Sequence, residues 1–255
     1  MERENIAKRA VGLIDLTNLN GDCSRGDIEA LCARAQTPFG NTAAVCIWPH
    51  FVAQAKQLLA ETSIVTATVV NFPHGGIDIK AVMRETKTAV GDGADEIDLV
   101  MPYGAFKSGE RAHAADMIST IRAVTHGQAK LKVILETGEL AEPDLIYAAS
   151  MLALEEGADF IKTSTGKVAV NATLESAKIM LGAIKEFGDL SKGFKPAGGI
   201  KTVEDCGAYL SLADGILGET WAKPSTFRFG ASGVLDDVLA ALKQETQPIS
   251  APEGY

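Results

Sequence analysis

The chain has 255 residues, of which 46% are hydrophobic and 22% are charged, and its formal net charge at pH 7 is −9. This composition excludes a disordered chain, a collagen-like chain and a small disulfide-stapled domain, and the length suits one α/β barrel or two small domains. The acidic balance, in a sequence without a block of Lys and Arg, argues against a nucleic acid partner, although a local site can still bind a small anion.

The four cysteines show no CxxC spacing, which is typical of reduced thiols in a reducing compartment. The first ten residues are polar and lack a signal-peptide core, and no run approaches the ~18 apolar residues of a membrane span. The histidines show neither HxH nor HExxH spacing, so no metal site is expected. We therefore expect a cytoplasmic protein without a membrane partner.

Short apolar runs rich in Val and Ile alternate with amphipathic stretches along the chain. The runs predict strands buried on both faces, at residues 43–48, 64–70, 96–101, 131–136, 159–164, 193–197, 215–217 and 227–230. The stretches between them predict helices at residues 51–59, 77–90, 110–124, 142–154, 174–187 and 203–210. Eight strands with helical crossovers predict a single-domain parallel (β/α)8 (TIM) barrel over residues 1–255, with a short N-terminal helix and a flexible tail at 244–255.

Charged side chains interrupt three of the apolar predicted strands. Asp98 and Lys162 hold equivalent places after two Gly-Ala-Asp segments, so both side chains are expected to point the same way. Lys195 has the same setting one βα unit later, before a Pro-Ala-Gly-Gly run. The C-terminal ends of barrel strands form the catalytic face, and a buried charge is costly unless it is paired or functional.

Two lysines at neighbouring strand ends indicate amine chemistry. An amine attacks a carbonyl only when neutral, and free lysine has a pKa of roughly 10.4. A second ammonium at ~4 Å, with an effective dielectric of ~20, contributes about 4 kcal/mol, enough to lower that pKa by roughly 3 units. One of Lys162 and Lys195 is therefore predicted to be a reactive amine, with Asp98 holding the other cation and transferring protons. The residues alone leave open which lysine reacts, and also whether the charges only form a structural ion network, as is expected of Lys132.

Three late loops of small residues follow predicted strands, at 164–166, 197–199 and 229–233. Backbone N–H groups in such loops approach an anion closely, and the last loops of a barrel often bind phosphate. Lys167 and Lys201 add positive charge, whereas plain glycine turns are the alternative. Cys46 is interpreted either as a core residue or as a pocket-lining thiol, and Asp15 either as a helix cap or as part of the site.

The runs Asp-Phe-Ile-Lys-Thr-Ser-Thr-Gly-Lys at 159–167 and Gly-Phe-Lys-Pro-Ala-Gly-Gly at 193–199, with Asp-Glu-Ile-Asp at 95–98, closely resemble 2-deoxyribose-5-phosphate aldolases of the enterobacterial type. The resemblance covers nearly the whole chain. It implies a class I aldolase without metal or cofactor, which reversibly cleaves 2-deoxy-D-ribose 5-phosphate into D-glyceraldehyde 3-phosphate and acetaldehyde through a lysine imine. Its partners are then a sugar phosphate and aldehydes, with a homodimer as one candidate assembly. The alternatives are a barrel sugar-phosphate isomerase or epimerase and a non-catalytic sugar-phosphate-binding protein.

The resemblance also implies roles for individual residues. Lys162 matches the lysine that forms the imine, Lys195 its pKa-lowering neighbour, Asp98 the relay carboxylate, and Tyr255 a C-terminal tyrosine associated with proton transfer. The expected substrate- and phosphate-binding residues are Asp15, Thr17, Cys46, Thr165, Gly166, Lys167, Gly198, Gly199, Gly230, Ser232 and Gly233.

Two departures from the family pattern affect the phosphate loops. Gly233 stands where a serine is expected, so one hydroxyl is absent. Lys201 stands where arginine is frequent, and lysine offers a point charge without a bidentate fork. Both differences are expected to weaken the contacts to a phosphate group.

Overall fold

The computed structural model describes residues 2–245, and its centre is a barrel of eight parallel strands. In chain order the strands are β1 Ile14–Asn18, β2 Ala44–Ile47, β3 Val65–Val70, β4 Glu96–Val100, β5 Lys130–Ile134, β6 Phe160–Lys162, β7 Gly193–Lys195 and β8 Phe229–Ala231. Hydrogen bonds join them in the order β8-β1-β2-β3-β4-β5-β6-β7. Two parallel bridges, Phe194 with Phe227 and Ala197 with Gly230, connect β7 to β8 and complete the barrel.

Helices alternate with the strands and cover the outside of the barrel. They are α1 Arg3–Val11, α2 Arg25–Arg34, α3 Val52–Leu58, α4 Ile79–Gly91, α5 Tyr103–Lys107, α6 Arg111–Thr125, α7 Thr137–Leu140, α8 Pro143–Glu155, α9 Leu174–Phe187, α10 Val203–Leu217 and α11 Val234–Glu245. A short hairpin, Gln36–Thr37 with Gly40–Asn41, lies between α2 and β2. Within residues 2–245 no helix is long and apolar enough to cross a membrane.

Local sequence signals explain where several helices begin. Ser24, Thr173 and Thr202 are the N-cap residues of α2, α9 and α10, and each side chain accepts a hydrogen bond from the backbone three residues later. In all three helices the side chain of that later residue accepts a hydrogen bond from the backbone N–H of the N-cap residue. Two otherwise unpaired N–H groups are thereby satisfied. Because the strands are buried on both faces, the apolar core fills the layer between barrel and helices.

The structure confirms the barrel and corrects one strand. Residues 215–217, predicted as a strand, form the last turn of α10, because buried residues such as Cys206, Leu210 and Ala213 continue the helical spacing up to that turn. The eighth strand is instead β1. A search for apolar runs misses it, because three of its five residues are Asp, Thr and Asn. Asp15 lies in β1, so its interpretation as a helix cap was wrong.

The two ends of the chain were predicted as a helix and a flexible tail. The N-terminal helix is α1, which packs beside α10 so closely that a Cβ on Gly207 would lie 2.7 Å from Cδ1 of Ile6. Residues 246–255, which include most of the predicted tail and Tyr255, lie outside the described residues.

Candidate active site

Two lysines and one carboxylate meet at the C-terminal end of the barrel. Lys162 ends β6 and Lys195 ends β7, and the two are register partners, so their side chains leave neighbouring strands side by side. Each Nζ donates a hydrogen bond of 2.7 Å to the same oxygen, Oδ2 of Asp98 on β4. The two amine nitrogens therefore cannot be farther apart than twice that distance.

The cluster continues through the barrel interior towards the opposite mouth. Lys132 on β5 donates to Oδ1 of Asp98 at 2.9 Å, and its Nζ lies 2.5 Å from the Glu96 carboxylate. Arg228 donates to both Glu96 oxygens, at 2.8 and 3.2 Å. Glu96 and Arg228 also line a cavity of about 570 Å³ at the N-terminal mouth. Charged side chains thus connect the two ends of the barrel.

Asp15 closes this set of contacts into a ring. One of its carboxylate oxygens accepts a hydrogen bond of 2.6 Å from Arg228, and the other lies 2.6 Å from Nζ of Lys195. All members are buried. We call this group the buried ion network; it comprises Asp15, Glu96, Asp98, Lys132, Lys162, Lys195 and Arg228.

The buried ion network contains four basic and three acidic side chains, so full ionisation would leave one uncompensated positive charge. An uncompensated charge in a barrel interior is costly, and a basic group there loses its proton more readily. Lys162 is the weakest paired of the four, because within 4 Å it contacts a single carboxylate, that of Asp98. Lys132, Lys195 and Arg228 each contact at least two.

The difference in pairing separates the pKa values of the two neighbouring lysines. Burial lowers the pKa of Lys162, and Lys195 lowers it further, against the opposing effect of Asp98. Burial also acts to lower the pKa of Lys195, but Asp15 and Asp98 outweigh it, so that pKa is raised. The pKa of Asp98 stays well below its usual range despite burial, because Lys132, Lys162 and Lys195 surround it. The pairing therefore favours Lys162 as the amine with the lower pKa; the residues alone had left this choice open, and the resemblance implied Lys162.

A cavity of about 730 Å³ opens above Lys162 at the C-terminal mouth, whereas Lys195 does not line it. Most of the residues expected to bind substrate or phosphate line this cavity: Thr17, Thr165, Gly166, Lys167, Gly198, Gly199, Gly230, Ser232 and Gly233. Lys201 lines it as well, together with Arg34, which the sequence analysis did not single out. The structure therefore brings the three predicted late loops to one space with Lys162.

Two glycines in these loops are required by close packing. Gly198 has a φ of +83°, and a Cβ there would lie 2.7 Å from Cβ of Asn171. A Cβ on Gly230 would lie 2.8 Å from Cβ of Ala197. Because no larger residue fits without displacing the backbone, these positions keep the loops tight around the cavity.

Glu136 orients a cavity-lining threonine, and the sequence analysis missed it. Its carboxylate accepts a hydrogen bond of 2.6 Å from the Thr165 hydroxyl, and that hydroxyl oxygen accepts one of 3.1 Å from the Lys167 N–H. Burial raises the pKa of Glu136. Lys167 in turn donates from Nζ to the Leu19 carbonyl at 2.9 Å, which ties this loop to the segment after β1.

Two predicted site residues lie beneath the cavity rather than on its wall. Cys46 is fully buried and belongs to a small apolar cluster with Leu19, Ala67 and Val69, and burial raises the pKa of its thiol. This position favours the core interpretation over the pocket-lining thiol. Asp15 is also fully buried, and it contacts Lys195 instead of the open space.

Glu96 and Arg228 are members of the buried ion network that sequence reasoning overlooked. Glu96 stands two residues before Asp98, and side chains two apart on a strand share a face, so strand parity was a usable signal. Arg228 lies between two phenylalanines just before β8, where a charge is equally unexpected. Both residues fall inside predicted strands, at 96–101 and 227–230, which is why a search for polar loop motifs passes over them.

Residues 9–218 match the family described as DeoC/LacD family aldolase. The chain belongs to this family. The aldolase is 57% identical over 250 residues to a deoxyribose-phosphate aldolase of Agrobacterium fabrum, covering 98% of this chain and 96% of the relative. Membership of an aldolase family disfavours the isomerase and epimerase alternative.

Solved structures agree on the architecture. A putative deoxyribose-phosphate aldolase from Coccidioides immitis matches with a TM-score of 0.79 and 31% identity, covering 92% of this chain and 85% of that one. One from Toxoplasma gondii ME49 matches with a TM-score of 0.86 over 95% and 96% of the two chains, and at 23% identity it supports the fold alone.

Proposed function

We propose that the aldolase reversibly cleaves 2-deoxy-D-ribose 5-phosphate into D-glyceraldehyde 3-phosphate and acetaldehyde, with Lys162 as the amine that forms the imine. The observation that carries this assignment is the pairing of Lys162. It has the fewest carboxylate partners in the buried ion network, and it lines the large cavity. The substrate is supported by the close Agrobacterium fabrum relative, which is named a deoxyribose-phosphate aldolase.

In the proposed reaction, neutral Lys162 attacks the aldehyde carbon of the open-chain sugar, and loss of water gives a protonated imine. The C3 hydroxyl gives up its proton, and the electron pair of the C2–C3 bond moves to the imine nitrogen, which acts as an electron sink. Glyceraldehyde 3-phosphate leaves, and an enamine remains. Protonation at C2 followed by hydrolysis releases acetaldehyde and restores the amine.

Asp98 and Lys195 are the proposed proton carriers. Both amines donate to the same oxygen of Asp98, so a proton lost by Lys162 has a short route through that carboxylate to an ordered water, and the protonated Lys195 can return a proton along its own contact with Asp98. The raised pKa of Lys195 keeps it charged at neutral pH, so it also destabilises the protonated form of Lys162. Tyr255 remains a proposed contributor to proton transfer, and its position lies outside the part of the chain that the structure describes.

The phosphate is proposed to occupy the side of the cavity built by the late loops. Gly166, Gly198 and Gly199 bring backbone to the cavity wall, and Ser232 adds a hydroxyl. Helix α11 begins at Val234, directly after the last loop, so the positive end of its dipole faces the same region. Phosphate binding there would hold the sugar with its other end towards Lys162.

Reductive trapping tests the assignment. With acetaldehyde and borohydride, peptide mass analysis should place an ethyl adduct on Lys162, and Lys162→Met should abolish it. Lys178→Met is the matched control, because Lys178 is exposed on α9 and takes no part in the buried ion network; it should leave the adduct unchanged. An adduct on Lys195 in the unmodified protein, or undiminished labelling of the Lys162→Met variant, would refute the assignment.

We further propose that the aldolase acts in the cytoplasm as one domain over residues 1–255 and as a homodimer. Light scattering should give twice the chain mass of 26.8 kDa. A mass equal to one chain or to four would contradict the dimer.

A further inference from the structure

The cavity contains a basic side chain that belongs to none of the phosphate loops. Arg34, in the last turn of α2, lines the same space as Lys167, Lys201 and Gly233. Among the described residues of the cavity wall, it is the one arginine. Its helix comes from the N-terminal part of the chain, far in sequence from the loops after β6, β7 and β8.

The Arg34 guanidinium forms an ion pair with a carboxylate of α11. Its Nη2 donates a hydrogen bond of 2.7 Å to the carboxylate of Asp236, in the first turn of α11. The backbone N–H of Asp236 in turn donates to the Gly233 carbonyl at 3.3 Å. The guanidinium therefore lies beside the N-terminus of α11, within one helical turn of the last phosphate loop.

This ion pair is easily exchanged. The side chain of Arg34 is 46% exposed and that of Asp236 is 74% exposed. Exposed ion pairs contribute little to stability, so the guanidinium can leave Asp236 at small cost. A phosphate monoester carries nearly two negative charges and three strong acceptor oxygens, which makes it a better partner for a guanidinium than one solvated carboxylate.

The neighbouring residues of the described cavity wall offer no side chain that can form a bidentate contact with a phosphate. Gly233 supplies no hydroxyl, and Lys201 cannot form a bidentate contact. Lys167 already uses one donor of its ammonium on the Leu19 carbonyl. An arginine on this side of the cavity provides the planar fork that these positions lack.

We propose that Arg34 is a phosphate-binding residue of this aldolase, moving from Asp236 to the phosphate of the substrate when it binds. Asp236 then holds the guanidinium in place in the empty site and competes with the phosphate for it. The proposal rests on the proposed function, since it concerns the phosphate end of that same substrate.

Kinetics with two substrates test the proposal. Arg34→Gln should lower kcat/KM for 2-deoxyribose 5-phosphate by about tenfold or more, as expected for loss of a charge-assisted hydrogen bond, mainly through KM. The same variant should change kcat/KM for unphosphorylated 2-deoxyribose by less than about twofold. Arg34→Lys should give an intermediate loss, because it keeps the charge and loses the fork. Arg25→Gln, at the other end of α2 and away from the cavity, is the matched control and should behave like the unmodified protein.

The Asp236→Asn variant tests the competition between carboxylate and phosphate. It should lower KM for 2-deoxyribose 5-phosphate a fewfold when Arg34 is present and leave KM unchanged in the Arg34→Gln background. Equal losses with both sugars for Arg34→Gln, or no loss with the phosphorylated one, would overturn the proposal. Trapping of acetaldehyde on Lys162 in the Arg34→Gln variant reports separately on the imine, so failure of the proposed function would be seen as absent trapping.

Discussion

Replacement of Lys195 by methionine isolates the electrostatic part of the proposed mechanism. Methionine keeps much of the length of the side chain and removes its charge. In the structure Lys195 contacts Asp15 and Asp98, and it shares the Asp98 oxygen with Lys162. The variant therefore removes the cation that lowers the pKa of Lys162 and also leaves both carboxylates with one partner fewer.

The expected size of the effect follows from the geometry. At about 5 Å and an effective dielectric of ~20, two unit charges repel by about 3 kcal/mol, which corresponds to about two pK units. The pKa of Lys162, now lowered by burial and by Lys195, should rise by at least this amount, because Asp98 is also freed to stabilise its ammonium form. In the pH dependence of kcat/KM, the acidic limb should shift to higher pH by about two units.

Initial rates of imine trapping as a function of pH measure this shift directly. For the Lys195→Met variant, trapping at pH 7 should fall about 100-fold and recover about tenfold with each unit of rising pH. Lys195→Arg keeps the positive charge, so the acidic limb should stay at nearly the same pH. A lower maximal trapping rate with an unshifted acidic limb would mean that Lys195 carries protons but does not lower the pKa of Lys162. That result would refute the electrostatic argument.

Further predictions concern stability. Lys162→Met removes the uncompensated fourth basic group, so the melting temperature should rise by a few degrees; a fall would contradict the charge imbalance. Gly138→Ala places a methyl group against the Val170 carbonyl, and calorimetry should show a loss of about 3–10 °C, whereas an unchanged melting temperature would mean that the backbone adapts. The pKa values of Asp15 and Asp98 are held down by their basic partners, so their contribution to stability is complete above the unfolded carboxyl pKa of about 4 and is lost as the pH falls below it. Unfolding titrations should therefore show a loss of stability below about pH 4 that is shallower for Asp15→Asn; equal slopes would refute this.

The sequence by itself determined the barrel and the end of it that carries the chemistry. Alternating apolar runs and amphipathic stretches require a parallel sheet with helical crossovers, and strand parity places Asp98, Lys162 and Lys195 on one side of their strands. These are local properties, since they depend on residues near one another in the chain. The same local reasoning failed for β1, because a strand that carries Asp15 and Thr17 among few apolar residues resembles a loop.

Only the tertiary structure shows why the pKa of Lys162 is lowered while that of Lys195 is raised. A pKa depends on every charge within a few ångströms, and the charges that hold Lys195 protonated come from β1 and β4, two strands far apart in the sequence. Asp15 on β1 supplies Lys195 with the second carboxylate that Lys162 lacks. Arg34 reaches the cavity for the same reason: closure of the barrel brings the end of α2 to the start of α11. Through-space distances of this kind arise only when the chain folds, so no local pattern of residues encodes them.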